Sequence, residues 1–418
     1  MNLFEELRKK YPSLRYIPEV ESVIEDEHII QQKEESDISE KLLKPNEIKV
    51  ANYSNLKFKA FIDGSYKIAK LANFEGVPVY IGTLSSVLTE RTELKTLKEV
   101  GPQKHFTVIV FPFKAFEDFV GNKGEKGPSQ LFINYLKERY NAIKDEEFIK
   151  NVFNYITNGN KDVWIYGDLT YKGTTNWGEP DINLDNILDE AKIRNRANAR
   201  IRYLMNIIES SYVKYYRDII EEEEKNYDWI LIDGTLNQIA KYALFSKDQS
   251  NRYRKYFDKV AGFIKIIRKT PNFDQRKLIR LNENEYLISV AQRCEEDRSV
   301  REEEKILNGI SEDSLTGKEK WGFIYLRFRV PKDMMFFTNP VTSKGIVKIQ
   351  FLVTNLNSEG LIMQKGQEIA DMIIYEKFPL PCDKRRVWIE AAAIEETEKI
   401  AKSRLRSYEW LRNKAWSL

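Results

Sequence analysis

The stretch Tyr227-Asp-Trp-Ile-Leu-Ile-Asp-Gly-Thr-Leu236 is the strongest indication of fold class in this 418-residue chain. Its apolar residues Trp229–Ile232 do not alternate with polar ones, a pattern typical of a strand that is covered on both faces of its sheet. Asp233 follows at the carboxyl end of this strand, where open α/β sheets bind their ligands. The stretch therefore predicts an α/β fold with a functional aspartate at the edge of a buried sheet.

A second stretch, Phe58-Lys-Ala-Phe-Ile-Asp-Gly-Ser65, repeats this construction. In both stretches an apolar strand is predicted to end in Ile-Asp-Gly and a hydroxyl residue, so we expect Asp63 and Asp233 to meet at one sheet edge. Paired carboxylates are the hard oxygen ligands that Mg²⁺ and Mn²⁺ prefer. The alternative is ordinary turn chemistry, in which the aspartate starts a turn and the glycine supplies a positive φ.

The composition indicates an ordinary globular protein, with 42% apolar and 31% charged residues. Cys294 and Cys382 are the only cysteines and give neither a zinc-binding spacing nor a disulfide framework. His28 and His105 are the only histidines, which nearly excludes a Ser-His-Asp triad. The sequence shows no apolar run of about 18 residues and no signal peptide, so we expect a cytoplasmic protein without a membrane segment.

The pattern along the chain predicts a mixed α/β sheet flanked by helices. The highly charged residues 1–50 are expected to form an exposed N-terminal arm, and residues 51–418 one large domain that ends in helices. The predicted elements after the Phe58 strand are strands at Val77–Ile81, Phe106–Phe113, Val163–Tyr166, Val260–Ile267 and Trp321–Val330, and helices at Glu190–Glu224, Ile362–Ile374 and Asp383–Trp416. The Phe58 strand and the strands at Val77–Ile81 and Phe106–Phe113 are expected to form an antiparallel meander.

Two basic segments flank the Asp233 strand in the sequence. Residues 191–217 contain seven lysines and arginines and a single acid, Glu209, and residues 251–280 contain ten lysines and arginines. Positive potential around an acidic centre is expected of an enzyme that handles polyanions, with Arg196 and Arg200 as phosphate contacts; solvated helix faces are the alternative. Glu209 falls on the shoulder of the apolar stripe of its helix, either as a partner of a nearby arginine or as a third carboxylate of the site.

Two predicted strands carry further candidate residues. Lys265 lies in an apolar run and can stabilise charge on a phosphate, or it can protect an edge strand from pairing. Tyr325 and Arg327 share one face of an alternating strand and suit contacts to single-stranded nucleic acid, although an ordinary amphipathic strand has the same pattern. Asp168 also follows a strand, and a turn or helix cap is its more common role.

The order of these features resembles that of the NurA family, the nucleases that work with the HerA-type hexameric ATPase. The resemblance rests on Ile62-Asp-Gly-Ser65, the basic helix with Glu209, Ile232-Asp-Gly-Thr-Leu236 and Gly-Phe-Ile-Lys265, with a weaker fifth feature in Phe378-Pro-Leu-Pro381. It extends over roughly residues 55–405 and is confined to these islands.

The resemblance implies an RNase H-like core and a Mn²⁺- or Mg²⁺-dependent deoxyribonuclease that acts as a homodimer with a HerA-like motor. Asp63, Glu209 and Asp233 would be its metal ligands, and Lys265 would face the scissile phosphate. The chain departs from the family at Phe378, where a tyrosine is usual. It departs again at Arg386, a residue that can contact DNA but stands where the family has a histidine.

The same residues are compatible with two other functions. One is a non-catalytic DNA-binding adaptor whose aspartates only form turns, and the other is a different RNase H-like endonuclease. The sequence contains no Gly-x-x-x-x-Gly-Lys-Ser/Thr loop, so any ATP dependence would come from a partner. DNA end processing and phage defence would use the same site.

Overall fold

The computed structural model describes most of the chain between residues 39 and 411. The described residues are 39–44, 47–53, 56–74, 76–121, 143–157, 162–171, 180–221, 227–236, 256–265, 267, 275–292, 321–329, 345–353, 358–377, 391–407 and 409–411. The predicted arm up to residue 38, Phe378 and Arg386 lie outside these residues.

The described residues form an α/β structure. Its strands are β1 Ser39–Leu42, β2 Lys49–Val50, β3 Ala60–Phe74, β4 Val77–Arg91, β5 Leu97–Glu99, β6 His105–Phe111, β7 Ile143–Lys144, β8 Asp162–Asp168, β9 Ile230–Asp233, β10 Val260–Ile264, β11 Glu285–Gln292, β12 Trp321–Arg327 and β13 Ile346–Leu352. Its helices are α1 Phe113–Gly121, α2 Asp145–Thr157, α3 Glu190–Tyr215, α4 Arg276–Ile279, α5 Glu359–Tyr375 and α6 Ala392–Arg404. None of the described helices combines the length and apolar character needed to cross a membrane.

These strands form one large mixed sheet in the order β1-β11-β12-β13-β10-β9-β3-β4-β6-β8-β7, with β2 beside β11 and β5 beside β4. At its centre β3, β4 and β6 pair antiparallel, so the predicted meander is confirmed. On the other side of β3, β9 runs parallel to β3 and β10 runs parallel to β9. The predicted mixed sheet flanked by helices is therefore confirmed.

The N-terminal boundary differs from the prediction. Residues 39–42, which were expected to belong to an exposed arm, form β1 and pair with β11. Residues 49 and 50 form β2 and pair with the other end of β11. The high charge of residues 1–50 predicted exposure, but Glu40, the acid in β1, is buried and accepts a hydrogen bond from Lys348 Nζ at 2.7 Å. Charged residues are rarely buried unless they are paired in this way.

The apolar core lies on both faces of the sheet. One cluster contains Ile62 of β3 and the buried stripe of α3, and the other contains Phe61 of β3 with the buried residues of α5 and α6. Successive side chains of a strand point to opposite faces. Phe61 and Ile62 thus show that odd-numbered residues near the start of β3 face α5 and α6, whereas even-numbered ones face α3.

The long helix α3 begins where the sequence predicts. Asp189 is its N-cap and accepts a hydrogen bond from the backbone N–H of Lys192 at 3.0 Å. The predicted stripe is buried from Ile193 to Tyr216 apart from Met205, which is partly exposed. This stripe packs α3 against the central strands, which carries Glu209 to the sheet.

The end of this helix departs from the prediction. Residues Tyr216–Ile220 form a π-helical turn, which changes the angular position of the following side chains. Ile219 in this turn is therefore 48% exposed, whereas Arg217 is fully buried. Glu221, which follows this turn, is also buried and accepts a hydrogen bond from Arg217 Nη1 at 2.6 Å.

Candidate active site

The two aspartates of the repeated Ile-Asp-Gly motif lie side by side. Ile62 of β3 is paired with Ile232 of β9 in parallel, so the next residues, Asp63 and Asp233, are neighbours at the point where β9 ends. Only β9 ends there. The prediction that both strands end in the motif is wrong for β3, which continues through Asp63 to Phe74.

The glycines of the two Asp-Gly pairs have different structural roles. Gly234 has a φ of +96°, so it supplies the turn that ends β9. Gly64 lies within β3 and is needed for space, because a Cβ atom there would stand 2.5 Å from Glu209 Oε1 and 2.8 Å from Met205 Cγ. The turn explanation thus holds for Gly234 alone, and Gly64 instead lets α3 bring Glu209 close to the sheet.

Asp63 is buried, with only 3% of its surface exposed. Its Oδ1 accepts the backbone N–H of Gly64 at 2.7 Å, and its Oδ2 is buried without a hydrogen-bond partner among the described residues. Burial, followed by the Asp233 carboxylate, raises the pKa of Asp63 well above its usual value, and Lys265 opposes this increase. A buried carboxylate with a free oxygen is costly unless a cation or a proton satisfies it.

Glu209 is the second buried acid, and it approaches Gly64 from α3. Burial, followed by the Asp233 carboxylate, raises the pKa of Glu209 to about 8, and Arg202 opposes this increase. The helical-wheel prediction that this side chain points inward is confirmed by its 2% exposure.

Lys265 connects Asp233 to an acid that the sequence analysis missed. Its Nζ is 3.1 Å from Asp233 Oδ2 and 3.7 Å from Oε2 of Glu398, which belongs to α6. The residue directly follows β10, which lies between β9 and β13. Protection of an edge strand therefore does not explain this lysine.

The position of α6 is fixed by contacts on both sides of Glu398. Thr397 shares a buried 2.8 Å hydrogen bond with Thr89 of β4, and Arg404 forms a salt bridge with Glu99 of β5. Glu398 Oε1 also lies 2.7 Å from Lys402 Nζ. Glu395 and Glu396 in the same helix have similar sequence surroundings, so only the tertiary contact distinguishes Glu398.

The basic side chains predicted to contact DNA have other roles where they are described. Arg200 is buried and donates to the backbone oxygen of Asp168 at 2.8 Å, while Arg196 Nε lies 3.3 Å from Asp181 Oδ2. Both therefore hold the segment after β8 against α3. Arg386 lies outside the described residues.

Tyr325 and Arg327 of β12 are also internal, which corrects their assignment to a nucleic-acid surface. Tyr325 donates its hydroxyl hydrogen to Glu40 Oε2 at 2.7 Å. Arg327 is fully buried and donates to the backbone oxygens of Leu281 and Ile279 at 3.0 and 3.1 Å. An alternating pattern predicts one solvated face, but here both faces of the strand are covered.

Asp168 has the capping role that was its alternative. Its Oδ1 accepts the backbone N–H groups of Phe113 and Thr170, both at 2.9 Å, and its Oδ2 accepts that of Lys114 at 3.3 Å. The pairing of β8, β6, β4 and β3 places Gly167, the residue before Asp168, level with Lys70. That is seven residues along β3 from Asp63, or roughly 20 Å, so Asp168 does not belong to the same site.

The carboxylate oxygens of these acids are of the type that divalent cations bind, but no three of the described acids are arranged as a complete set of metal ligands. Among the described residues, no group of three acidic, histidine or cysteine side chains is close enough to hold a metal ion. The buried Asp63 Oδ2 has no hydrogen-bond partner among the described residues, however, and the Asp233 carboxylate adds to the increase that burial causes in the pKa of Asp63 and of Glu209, so a cation would be favourable there. A metal ion at Asp63 and Asp233 would neutralise this charge.

Comparison of the sequence with protein-family models and with curated proteins finds no match.

The buried acids predict a stability that falls as the pH rises. A folded-state pKa of about 8 for Glu209, against an ordinary value of 4.5, means that the folded protein holds this proton longer than the unfolded chain does. The stabilisation is complete below about pH 4.5, declines as the pH approaches 8 and is lost above it, an effect on the order of 5 kcal/mol.

A Glu209→Gln variant should therefore show a flatter pH dependence and a higher free energy of unfolding at about pH 8 in EDTA. Urea unfolding between about pH 5 and 9 measures this, with the exposed Glu396→Gln as the control. Equal slopes for Glu209→Gln and the wild type would contradict the assignment.

Proposed function

We propose that this protein is a metal-dependent nuclease that hydrolyses phosphodiester bonds in DNA. The observation that carries the proposal is the pair Asp63 and Asp233 on adjacent parallel strands, with Lys265 bound to one of them. Phosphodiester hydrolysis needs positioned cations to bind the phosphate and activate water, and carboxylates can hold such cations without histidine.

In this proposal Asp63 and Asp233 would hold Mn²⁺ or Mg²⁺, and Glu209 would support a second ion or the attacking water. A bound metal would supply Lewis acidity and lower the pKa of its bound water. Lys265 supplies a positive charge near the phosphate, where it stabilises the negative charge that develops during hydrolysis. The burial of Asp63 and Glu209 keeps bulk water away and strengthens these interactions.

The strand arrangement supports an RNase H-like core for this enzyme. An antiparallel meander of β3, β4 and β6 is extended by the parallel strands β9 and β10, and the first strand carries Asp63. Together with the NurA-like motifs, this arrangement supports a homodimeric nuclease of the cytoplasm that works with a HerA-like hexameric ATPase, in DNA end processing or phage defence.

Cleavage of end-labelled single- and double-stranded DNA tests the proposal. The wild type should yield products with Mn²⁺ or Mg²⁺ and none with EDTA, and Asp233→Asn should yield none in any condition. Each reaction is repeated with a HerA-like ATPase, because a motor can be needed to feed the substrate.

Failure of the wild type to cleave DNA in every condition would overturn the proposal. If DNA binding were then unaffected by Asp233→Asn, the protein would be a DNA-binding adaptor. Nicking of closed circular DNA without any motor would instead identify a different RNase H-like endonuclease.

A further inference from the structure

We propose that one strand of the substrate DNA lies between β3 and α3 beside the paired aspartates, and that Arg202 of α3 contacts one of its phosphates. This inference rests on the proposed function and deepens it, because neither the repeated motif nor the family resemblance assigns a path to the substrate or a role to Arg202.

The edge of β3 loses its neighbour directly beside the aspartate pair. β9 pairs with β3 only as far as Ile62, whereas β3 continues to Phe74. After Asp233 the chain turns away from β3, since the backbone N–H of Leu236 donates to Gln350 Oε1 of β13 at 2.9 Å. Among the described residues, no strand therefore pairs with this edge of β3 beyond Ile62. Open α/β sheets bind their ligands at such places, outside the carboxyl end of a strand.

The helix α3 presents partly exposed side chains beside this unpaired edge. Between residues 200 and 210 of α3, Arg202, Met205 and Asn206 are partly exposed and all the others are buried. Their spacing of three and four residues places them on one side of the helix. A Cβ atom at Gly64 would lie 2.8 Å from Met205 Cγ, so this side of α3 meets β3 just after Asp63. Solvent therefore reaches α3 along a line that leads to the candidate site.

Arg202 brings a positive charge to this line. It precedes Glu209 by two helical turns, so the two Cα atoms are roughly 10 Å apart on the same side of α3. Its guanidinium acts on Glu209, because it opposes the increase that burial causes in the pKa of this acid. Arg196 and Arg200 are held by other parts of the chain, whereas Arg202 forms no hydrogen bond or ion pair with the described residues.

A phosphate of the DNA backbone is the partner that this guanidinium suits. Arginine binds phosphate oxygens through two parallel N–H groups, and it does so at partly exposed positions without the cost of burying a charge. Phosphates follow one another at about 3.4 Å along the axis of a B-form strand. Arg202 would thus hold a phosphate about three nucleotides from the one that reacts at Asp63 and Asp233, which fixes the strand along α3.

Fluorescence anisotropy of a labelled single-stranded oligonucleotide, measured in EDTA at several KCl concentrations, tests this contact without cleavage. On a single strand, each neutralised phosphate contributes about −0.7 to the slope of the logarithm of the binding constant against that of the salt concentration. Arg202→Gln should therefore make the slope less negative by about 0.7 and weaken binding several-fold at low salt. Arg202→Lys keeps the charge, so it should keep the slope and lose only part of the affinity.

Arg194→Gln is the matched control. It removes the same charge from an exposed position of α3 that lies roughly 22 Å along the helix from Glu209. We expect this variant to bind the oligonucleotide with the slope of the wild type. Thermal unfolding checks that each variant is folded, which we expect of Arg202→Gln because Arg202 is partly exposed.

Three results would overturn the inference. An unchanged slope for Arg202→Gln would leave Arg202 only as an electrostatic partner of Glu209. Equal changes for Arg202→Gln and Arg194→Gln would show a general attraction of the helix for DNA rather than a contact. The third is the absence of oligonucleotide binding by the wild type.

The binding measurement separates this inference from the proposed function. A wild type that binds DNA through Arg202 but cleaves it in no condition would overturn the nuclease and keep the contact. A metal-dependent nuclease whose salt dependence is unaffected by Arg202→Gln would do the reverse.

Discussion

An Asp63→Asn protein is expected to lose metal-dependent DNA cleavage by about a thousandfold or more while remaining at least as stable as the wild type in EDTA. The amide oxygen can still accept the Gly64 N–H, so the local hydrogen bond is kept. The amide carries no charge, so the cost of burying a carboxylate beside Asp233 disappears. A metal-binding role thus predicts opposite signs for activity and stability.

Asp168→Asn provides a matched control. Asp168 is also a buried aspartate in a strand, but its two oxygens accept three backbone N–H groups. An asparagine has one accepting oxygen, so at least one N–H loses its partner and the free energy of unfolding should fall by about 1–3 kcal/mol. Cleavage by the folded Asp168→Asn protein should match the wild type.

Thermal unfolding and end-labelled DNA cleavage of both variants measure these outcomes. Asp63 would be a structural residue rather than a metal ligand if the Asp63→Asn protein unfolded at a lower temperature and retained its cleavage. The Asp63→Asn and Asp168→Asn proteins would then behave alike, in spite of the different hydrogen bonding of the two aspartates.

The sequence was sufficient to predict the centre of the fold because the informative signals there are local. The apolar run before Asp233 and its repetition before Asp63 predicted two neighbouring strands, and the helical period predicted that Glu209 points inward. Each of these signals depends on residues within one element. The two Ile-Asp-Gly motifs predicted that Asp63 and Asp233 meet, and the pairing of Ile62 with Ile232 brings them side by side.

The roles of the other charged residues depend on contacts between residues that are distant in the sequence, and the local sequence pattern does not indicate such contacts. Arg327 looked like a solvated residue because nothing near it in the sequence shows that the carbonyls of Ile279 and Leu281 satisfy its guanidinium. Glu398 looked like one of several helical acids because Lys265, its partner in the site, is more than a hundred residues away. Both errors concern charged residues whose partners come from other elements.

Gly262→Ala is expected mainly to lower the free energy of unfolding, whereas Gly64→Ala is expected mainly to lower the rate of cleavage. At Gly262, in the middle of β10, a Cβ atom would lie 2.6 Å from the backbone oxygen of Gly234 and 2.9 Å from Leu236 Cγ. Backbone in a paired strand cannot move aside cheaply, so Gly262→Ala should lower the free energy of unfolding by about 3 kcal/mol. Any decrease in cleavage by Gly262→Ala should be proportional to the decrease in the fraction of folded protein.

At Gly64 the atoms nearest to the new methyl group would be Glu209 Oε1 and the Cγ and Sδ atoms of Met205, which belong to flexible side chains rather than to backbone. Gly64→Ala should therefore cost at most about 1 kcal/mol of stability, partly offset because alanine restricts the unfolded chain. It should reduce cleavage by about a hundredfold, because the methyl group displaces the Glu209 carboxylate by roughly an ångström. Urea unfolding and single-turnover cleavage at saturating Mn²⁺ measure both effects. Full cleavage by a stable Gly64→Ala protein would show that Glu209 takes no part in the reaction, and the proposed metal site would then consist of Asp63 and Asp233.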